Sequence, residues 1–292
     1  MQFATFTFKI TFTQYKNIYI HLHYKIKMAE EKKKEKKVVE RVYLLPVYVD
    51  AFDLDDAWRS CISEILDKGC EYTITRGSYA GQKRLELDFV TIRIKEPGTR
   101  PLTPRMPEGL NIPPPTSDEY VEQDYLPYLL SAEKKKGEDY TYGERLIDPK
   151  IRLEELIDKE NAKKEEKEIS LNVNQIEEVI KMYKTGRGTN QATMEIAMPS
   201  DIKLNDPPCL RLIDTRVRYE KLHFIVYFRS WDLWGGFPAN LAGLQLVKEY
   251  MADEIGVKDG EMIALSKGLH LYDHYWEWAK SLSRKEMKGV KD

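Results

Sequence analysis

Apolar positions recur with different spacings along this chain, and each spacing marks a different kind of element. From Val42 to Val49 the run is continuous, β-branched and aromatic, which predicts a buried strand with Pro46 marking an edge or bulge. Asp53 or Asp55 then caps a helix whose stripe is Trp58, Cys61, Ile62, Ile65 and Leu66, stopped by Gly69. Alternation from Leu85 to Ile94 predicts a strand, and the proline-rich stretch from Glu96 to Pro115 a surface loop. Residues 118–130 fit either a helix or a loop lined by Tyr120, Tyr125 and Tyr128. The charge-dense stretch 150–168 predicts an exposed helix and connector. Asn174 caps a helix from Gln175 to Tyr183, ended by Gly186, and Ala192 to Met198 reads as a strand broken by Pro199.

Two strands follow, Leu210 to Tyr219 and Leu222 to Arg229, joined across Glu220-Lys221. The second is apolar on both faces, which predicts a place deep in a sheet. Residues 239–255 form a long helix ended by Gly256. A strand from Glu261 to Leu265, an extended turn from Gly268 to Tyr272 and a short aromatic helix complete the pattern. Strands interleaved with long helices, without regular βαβ punctuation, predict an α+β fold: a mixed β-sheet with helices on one face. No internal repeat is visible.

Composition narrows the class. The 292 residues are 42% hydrophobic, enough to bury a substantial core, and 46 Lys and Arg nearly balance 48 Asp and Glu. That balance gives no reason to expect nucleic acid as a partner. Three cysteines (Cys61, Cys70, Cys209) are too few and too irregular for a disulfide framework or a metal site, so a reduced, cytoplasmic compartment is the expectation. No apolar run is long enough to span a membrane. The first 27 residues hold four lysines, seven Phe or Tyr and no acid, whereas Met28 opens a solvated Lys/Glu run. Residues 1–40 are therefore expected to be a disordered or mis-assigned extension, and 41–292 one catalytic domain. An added edge strand or membrane-surface arm is the alternative for 1–27.

Candidate chemistry gathers between Pro207 and Tyr272. Cys209 follows two prolines at a strand start, and a thiol is the best soft nucleophile when ionised. Arg229 on the adjoining strand would lower its pKa, and with Ser230 it could grip a phosphate. Asn240 offers a donor and an acceptor together, as the amide-like edge of uracil requires. His270 and Tyr272, two residues apart, could hold a sugar hydroxyl. Each has a structural alternative: a small strand-start hydrophobe, a surface arginine, a helix N-cap and a packed His/Tyr pair. Upstream, Arg76 in a glycine-containing turn could hook phosphate or simply sit in a turn. A plain two-residue hairpin turn would put Cys209 and Arg229 on opposite faces, and a bulge would bring them together. No nucleophile elbow, Walker loop or dinucleotide fingerprint is present.

Four motifs in register give the stretch a resemblance. Pro208-Cys209, Arg229-Ser230-Trp231-Asp232, Gly236-Phe237-Pro238-Ala239-Asn240 and His270-Leu271-Tyr272 resemble, without a gap, those of the thymidylate synthase family, in particular its shorter archaeal-type members. The resemblance implies that Cys209 adds to C6 of dUMP and that a reduced pterin supplies the carbon and the hydride. It implies phosphate binding by Arg229 and Ser230, with Arg76 as a further phosphate arginine. It assigns a backbone contact to Asp232, uracil to Asn240, the 3′-hydroxyl to His270 and Tyr272, and an active-site tyrosine to Tyr142, before Gly143. It also implies a homodimer through the other sheet face, and a carrier that is 5,10-methylenetetrahydrofolate or a methylene-tetrahydromethanopterin-like relative.

The chain departs from the family at several points. The helix bearing the catalytic Glu is not recognisable, leaving Glu119 or Glu122 as replacements. Asn190 and Gln191 stand where a cross-dimer arginine pair is expected, with Arg187 three residues earlier as a substitute. Leu210 replaces the His that follows the nucleophile, and the longer members' folate-closing tail has no counterpart among the 20 residues after Tyr272. A deoxycytidylate hydroxymethylase is the nearest rival, disfavoured because cytosine would be better served by Asp at position 240. A non-catalytic nucleotide-binding relative is the second.

Overall fold

The apolar stripe after Asp53 folds into helix α1 (Leu54–Lys68), and the Asp53 carboxylate accepts the Asp56 N–H at 2.8 Å. Trp58, Cys61, Ile62 and Ile65 on that stripe are fully buried, and burial pushes the Cys61 thiol far up, so this cysteine packs and does not react. The computed structural model describes residues 43–75, 79–152 and 168–283. The expectations for residues 1–40 and for 153–167 lie outside that range, as does Arg76.

α1 packs on β1 (Pro46–Ala51), the edge of a six-stranded sheet, where Pro46 is expected. The order is β1, β4 (Phe89–Ile94), β11 (Lys258–Ser266), β9 (Lys221–Phe228), β8 (Leu210–Arg218) and β7 (Thr193–Glu195). β1 pairs with β4, and β9 with β11, in parallel; the remaining pairs are antiparallel. β9 is central, as its two apolar faces require. α1, α4 (Gln175–Thr185) and α5 (Gly236–Ile255) cover one face, where Ile92, Phe224, Val226, Met262 and Ala264 are wholly buried. On the other face Leu212, Ile225, Tyr227, Ile263 and Leu265 are only half-buried. This is the predicted α+β fold.

The alternating run from Leu85 to Ile94 is two strands. Asp88 separates β3 (Lys83–Leu87) from β4, and its carboxylate accepts the Leu45 N–H at 2.9 Å. β3 belongs to a second sheet, ordered β10 (Trp231–Asp232), β12 (Leu269–Tyr272), β3 and β2 (Cys70–Thr73). Two more strands cross between the sheets at the same level, β9 into β10 through Arg229-Ser230 and β11 into β12 through Lys267-Gly268. Register survives the crossing: Ser266 faces Val90 and Phe228 before it, and Leu269 faces Leu87 and Trp231 after it. The segment expected as an extended turn, Gly268 to Tyr272, is therefore largely strand. Gly268, at a φ of 76°, absorbs the bend in a left-handed conformation that suits glycine.

Other boundaries also move for local reasons. The hairpin turns at Tyr219-Glu220, one residue early, with φ of 53° and 54°, the positive values that a tight primed turn needs at both central residues. α5 begins at Gly236, before residue 239, because the Asp232 carboxylate accepts the N–H groups of Trp234 (3.0 Å), Gly235 and Gly236 (both 3.2 Å). Residues 118–129 are helical (α2): Asp118–Tyr120, a π turn Val121–Tyr125, then Leu126–Leu129, opened by Ser117, which accepts the Tyr120 N–H. The ends of the charge-dense stretch pair as β5 (Lys150–Arg152) with β6 (Glu168–Ser170), where a helix and connector are expected. Among the described residues the shorter α-helices are α3 (Tyr142–Ile147) and α6 (Trp276–Leu282).

Candidate active site

Cys209 and Arg229 meet through a fault in the β8–β9 ladder. Leu210 pairs with Phe228 and Leu212 with Tyr227, so Arg211 is an extra residue on β8. The bulge shifts the strand by one, and the Arg229 N–H donates to the Cys209 carbonyl at 2.8 Å. Arg229 then clasps the turn before the cysteine. Its Nε donates to the carbonyls of Pro207 and Pro208, both at 3.1 Å, and Nη2 donates to Asp206 Oδ1 at 3.1 Å and to the Pro207 carbonyl. Arg211, from the bulge, donates to the Pro208 carbonyl at 3.2 Å and pairs with buried Asp201 at 3.6 Å. Two prolines that lack N–H groups thus present carbonyls to two guanidinium groups.

The Cys209 environment is mixed. Burial pushes the thiol up, Arg229 and Arg211 pull it down, and the Asp206 and Asp232 carboxylates push it up again. Burial wins. The expectation that Arg229 lowers the thiol pKa holds for its own contribution, but the net displacement is upward. Tyr142 stands against the same turn, its hydroxyl accepting the Leu210 N–H at 3.2 Å. Burial, then proximity to Cys209, raises the Tyr142 phenol, so it is held neutral. Thr141 caps α3 and fixes Tyr142 at its first position. Gly143 follows because a Cβ there would lie 2.2 Å from the carbonyl oxygens of both Tyr128 and Ser131.

The second sheet carries the rest. On β12 His270 and Tyr272 project to one side, ring centroids 5.0 Å apart, and Tyr272 stacks on Tyr79 at 4.6 Å. His270 Nδ1 lies 3.0 Å from the Gly268 carbonyl, which can only accept, so Nδ1 carries the proton and Nε2 is a bare acceptor. Nε2 is buried without a partner among the described residues, and burial lowers the His270 pKa, keeping the ring neutral. Ser230 Oγ lies 3.5 Å from Nδ1. The Asp232 side chain is consumed by capping α5. Its N–H alternates with those of Trp231 and Leu233, which donate to the carbonyls of Gly268 and His270, and is directed away from β12.

Asn240 is a full turn inside α5, so it is not the N-cap that local reading favours. Its Oδ1 accepts the Trp231 indole N–H at 3.0 Å, and its Nδ2 donates to the Tyr125 hydroxyl at 2.6 Å. Two clefts meet here. One, of about 430 Å³, is lined by Tyr120, Asp124, Tyr125, Tyr128, Lys135, Tyr140, Tyr142 and Asn240. The other, of about 620 Å³, adds residues 114–117, Gly235, Gly236 and Ala239. Tyr120, Tyr125, Tyr128, Tyr142 and Tyr140 form an unbroken series of ring contacts along the first.

The structure thus brings Cys209, Arg229, Ser230, Asp232, Asn240, His270, Tyr272 and Tyr142 to one region. It does not bring Arg187 there: that residue pairs with Glu220 and donates to the Gly256 carbonyl at 3.2 Å, at the hairpin turn, the far end of β8 from Cys209. Glu119 and Glu122 are both exposed and line neither cleft; the carboxylate that does is Asp124. Sequence reasoning assigns no site role to Trp231, Tyr125 or Arg211. Three tyrosines within residues 118–130 were a usable signal for Tyr125, whereas a bulge and an indole hydrogen bond leave no mark in a pattern of residue types. Among the described residues no cluster suits a metal ion, and no helix is long and apolar enough to cross a membrane.

Residues 136–291 match the family model described as thymidylate synthase. A Methanosarcina acetivorans protein described as "Putative thymidylate synthase" is 32% identical over 243 residues, 83% of this chain and 95% of that one. A Methanosarcina mazei protein with the same description is 31% identical over the same shares. A Listeria monocytogenes protein described as "Thymidylate synthase" is 33% identical over 114 residues, 38% of this chain and 36% of that one.

Proposed function

This chain belongs to the thymidylate synthase family, whose members are methyltransferases, and from that premise we propose that it converts dUMP to dTMP. The observation that carries the reading is the Arg211 bulge, which sets Cys209 opposite Arg229. The Cys209 thiolate adds to C6, forming the S–C6 bond while the C5=C6 electrons move towards C5 and O4 and make C5 the nucleophile. Arg229, already engaged through Nε and Nη2, has Nη1 without a bond among the described residues, and with Ser230 it takes the phosphate. Neutral His270, through its bare Nε2, and Tyr272 take the 3′-hydroxyl. Asn240 and the Asp232 N–H read the base, and neutral Tyr142 holds the cysteine strand in place.

A reduced pterin carrier supplies the carbon and the hydride when bound. The clefts at Asn240 have aromatic walls on which such a heterocycle can stack, with Tyr120 and Tyr125 on the wall shared by both. Tetrahydrofolate and methanopterin-type carriers both satisfy that chemistry. The half-buried apolar face of β8, β9 and β11 supports a homodimer. Arg187, at the hairpin end, could reach a nucleotide only in a partner's site.

The test is incubation with 5-fluoro-dUMP and a methylene carrier, followed by mass spectrometry. A ternary covalent adduct on Cys209 is expected. Nucleotide binding without an adduct would instead identify a non-catalytic relative, and turnover of dCMP in preference to dUMP would identify a hydroxymethylase.

A further inference from the structure

A free asparagine carboxamide is ambidextrous: turned by 180° about its last bond, it presents donor and acceptor in exchanged places. Asparagine at position 240 is therefore not enough to choose a 4-oxopyrimidine over a 4-aminopyrimidine. Something must fix which way it faces.

Here Trp231 does so. Its indole N–H lies 3.0 Å from Asn240 Oδ1, and an indole can donate but never accept, so the amide oxygen must face it. The amide nitrogen then faces Tyr125, donating to the phenol oxygen at 2.6 Å. Neither anchor is loose. The indole is 2% exposed and stacked between Phe228 and Phe237, at ring separations of 4.0 and 4.4 Å. The Tyr125 ring lies against Gly243, where a Cβ would come within 2.5 Å of it. After both bonds, Asn240 keeps one N–H and one oxygen lone pair, at the junction of the two clefts. That pair complements O4 and N3–H of uracil. Cytosine, with an amine at C4 and a bare N3, needs the reverse, and reversing the amide would set its NH₂ against the indole N–H.

We propose that Trp231 is a specificity-determining positioning residue, its indole N–H locking the Asn240 carboxamide in the orientation that accepts a 4-oxopyrimidine nucleotide and refuses a 4-amino one. This inference rests on the reading that the site beside Asn240 and Cys209 binds a pyrimidine nucleotide. Tyr125 supports the lock but does not set its sense, because a phenol can either donate or accept.

The test is equilibrium binding of dUMP and dCMP, by calorimetry, to the full chain and to Trp231→Phe, which preserves the ring stack and deletes the donor. The unaltered protein is expected to prefer dUMP by roughly 100-fold or more. Trp231→Phe is expected to narrow that ratio by roughly tenfold, the size of one hydrogen bond, with dCMP affinity rising. Tyr125→Phe is expected to keep the ratio, since the indole still sets the orientation. If Trp231→Phe binds both nucleotides more weakly at an unchanged ratio, the residue is only packing and the proposal is wrong. If Phe at 231 prevents folding, Trp231→Leu carries the same expectation. If the unaltered protein binds neither nucleotide, the functional reading falls, and this inference with it.

Discussion

Cys209 and Arg229 face each other, the N–H of one on the carbonyl of the other at 2.8 Å, because a single residue, Arg211, is squeezed out of the ladder between them. In an unbroken ladder Cys209 would stand opposite Ser230, and Arg229 would turn to the other face of the sheet. Inserting one glycine between Cys209 and Leu210 should therefore set Cys209 opposite Ser230 and abolish the 5-fluoro-dUMP adduct, while far-UV circular dichroism still reports a folded sheet. Deleting Arg211 removes the extra residue but leaves Leu210 opposite Phe228 and Cys209 opposite Arg229, so it should keep the adduct. Adduct formation by the insertion variant would show that the register of Cys209 and Arg229 is dispensable.

Cys209→Ser should reduce turnover on the order of 10⁴-fold or more, while dUMP affinity stays within a few-fold. Steady-state rates and equilibrium binding measured on the same preparation separate the two effects. Turnover near the original rate would exclude covalent catalysis by this residue.

Burial raises the Cys209 thiol and Arg229 opposes that shift, so thiolate accumulates only at alkaline pH and the guanidinium extends it downward. The rate of alkylation by iodoacetamide should climb with pH, with a midpoint above that of an ordinary thiol. In Arg229→Gln the midpoint should move higher still. A midpoint that stays put would mean that Arg229 serves the phosphate and the proline turn but not the thiol.

Gly143→Ala should lower stability by ~2 kcal/mol or more, because a methyl group cannot fit between two fixed backbone carbonyls without displacing α3. Chemical denaturation measures the loss. Since Tyr142 would move with the helix, adduct formation should slow as well.

Lys248 is wholly buried, donating to the Gly260 carbonyl and pairing with Asp259 at 3.1 Å, and burial depresses its pKa from 10.5 to about 8. Between those values the unfolded chain holds a proton that the folded chain has released, so folding stability rises with pH across that window. The stability of the unaltered protein minus that of Lys248→Met should be flat below pH 8 and climb towards pH 10.5. A flat difference throughout would place the Lys248 pKa near its ordinary value.

Much of the molecule was legible in residue order. Asp53, Asn174 and Gly256 act at helix ends because capping is local chemistry, and β9 is central because two apolar faces need two covers. The run from Leu85 to Ile94 carries a local mark besides: its apolar positions change phase at Phe89-Val90, beside Asp88, where the chain passes from one sheet to the other. What failed was whatever depends on partners far along the chain. Asn240 looked like a cap because the helix start is set eight residues earlier, by the Asp232 carboxylate. Arg187 lies near the right place in the sequence and at the wrong end of the hairpin in space.

The line where three strands cross from one sheet to the other has a mechanical meaning. Cys209 lies on one side of it, His270 and Tyr272 on the other, and Arg229-Ser230 on the line itself. Because the strands keep register through the bend, the angle between the sheets behaves as one variable, not three. A nucleotide seated as proposed is a strut across that crease, touching both panels and the fold between them. It stabilises a single angle, so its binding energy becomes rigidity of the whole scaffold, and the thermal midpoint should rise with dUMP concentration as one cooperative transition.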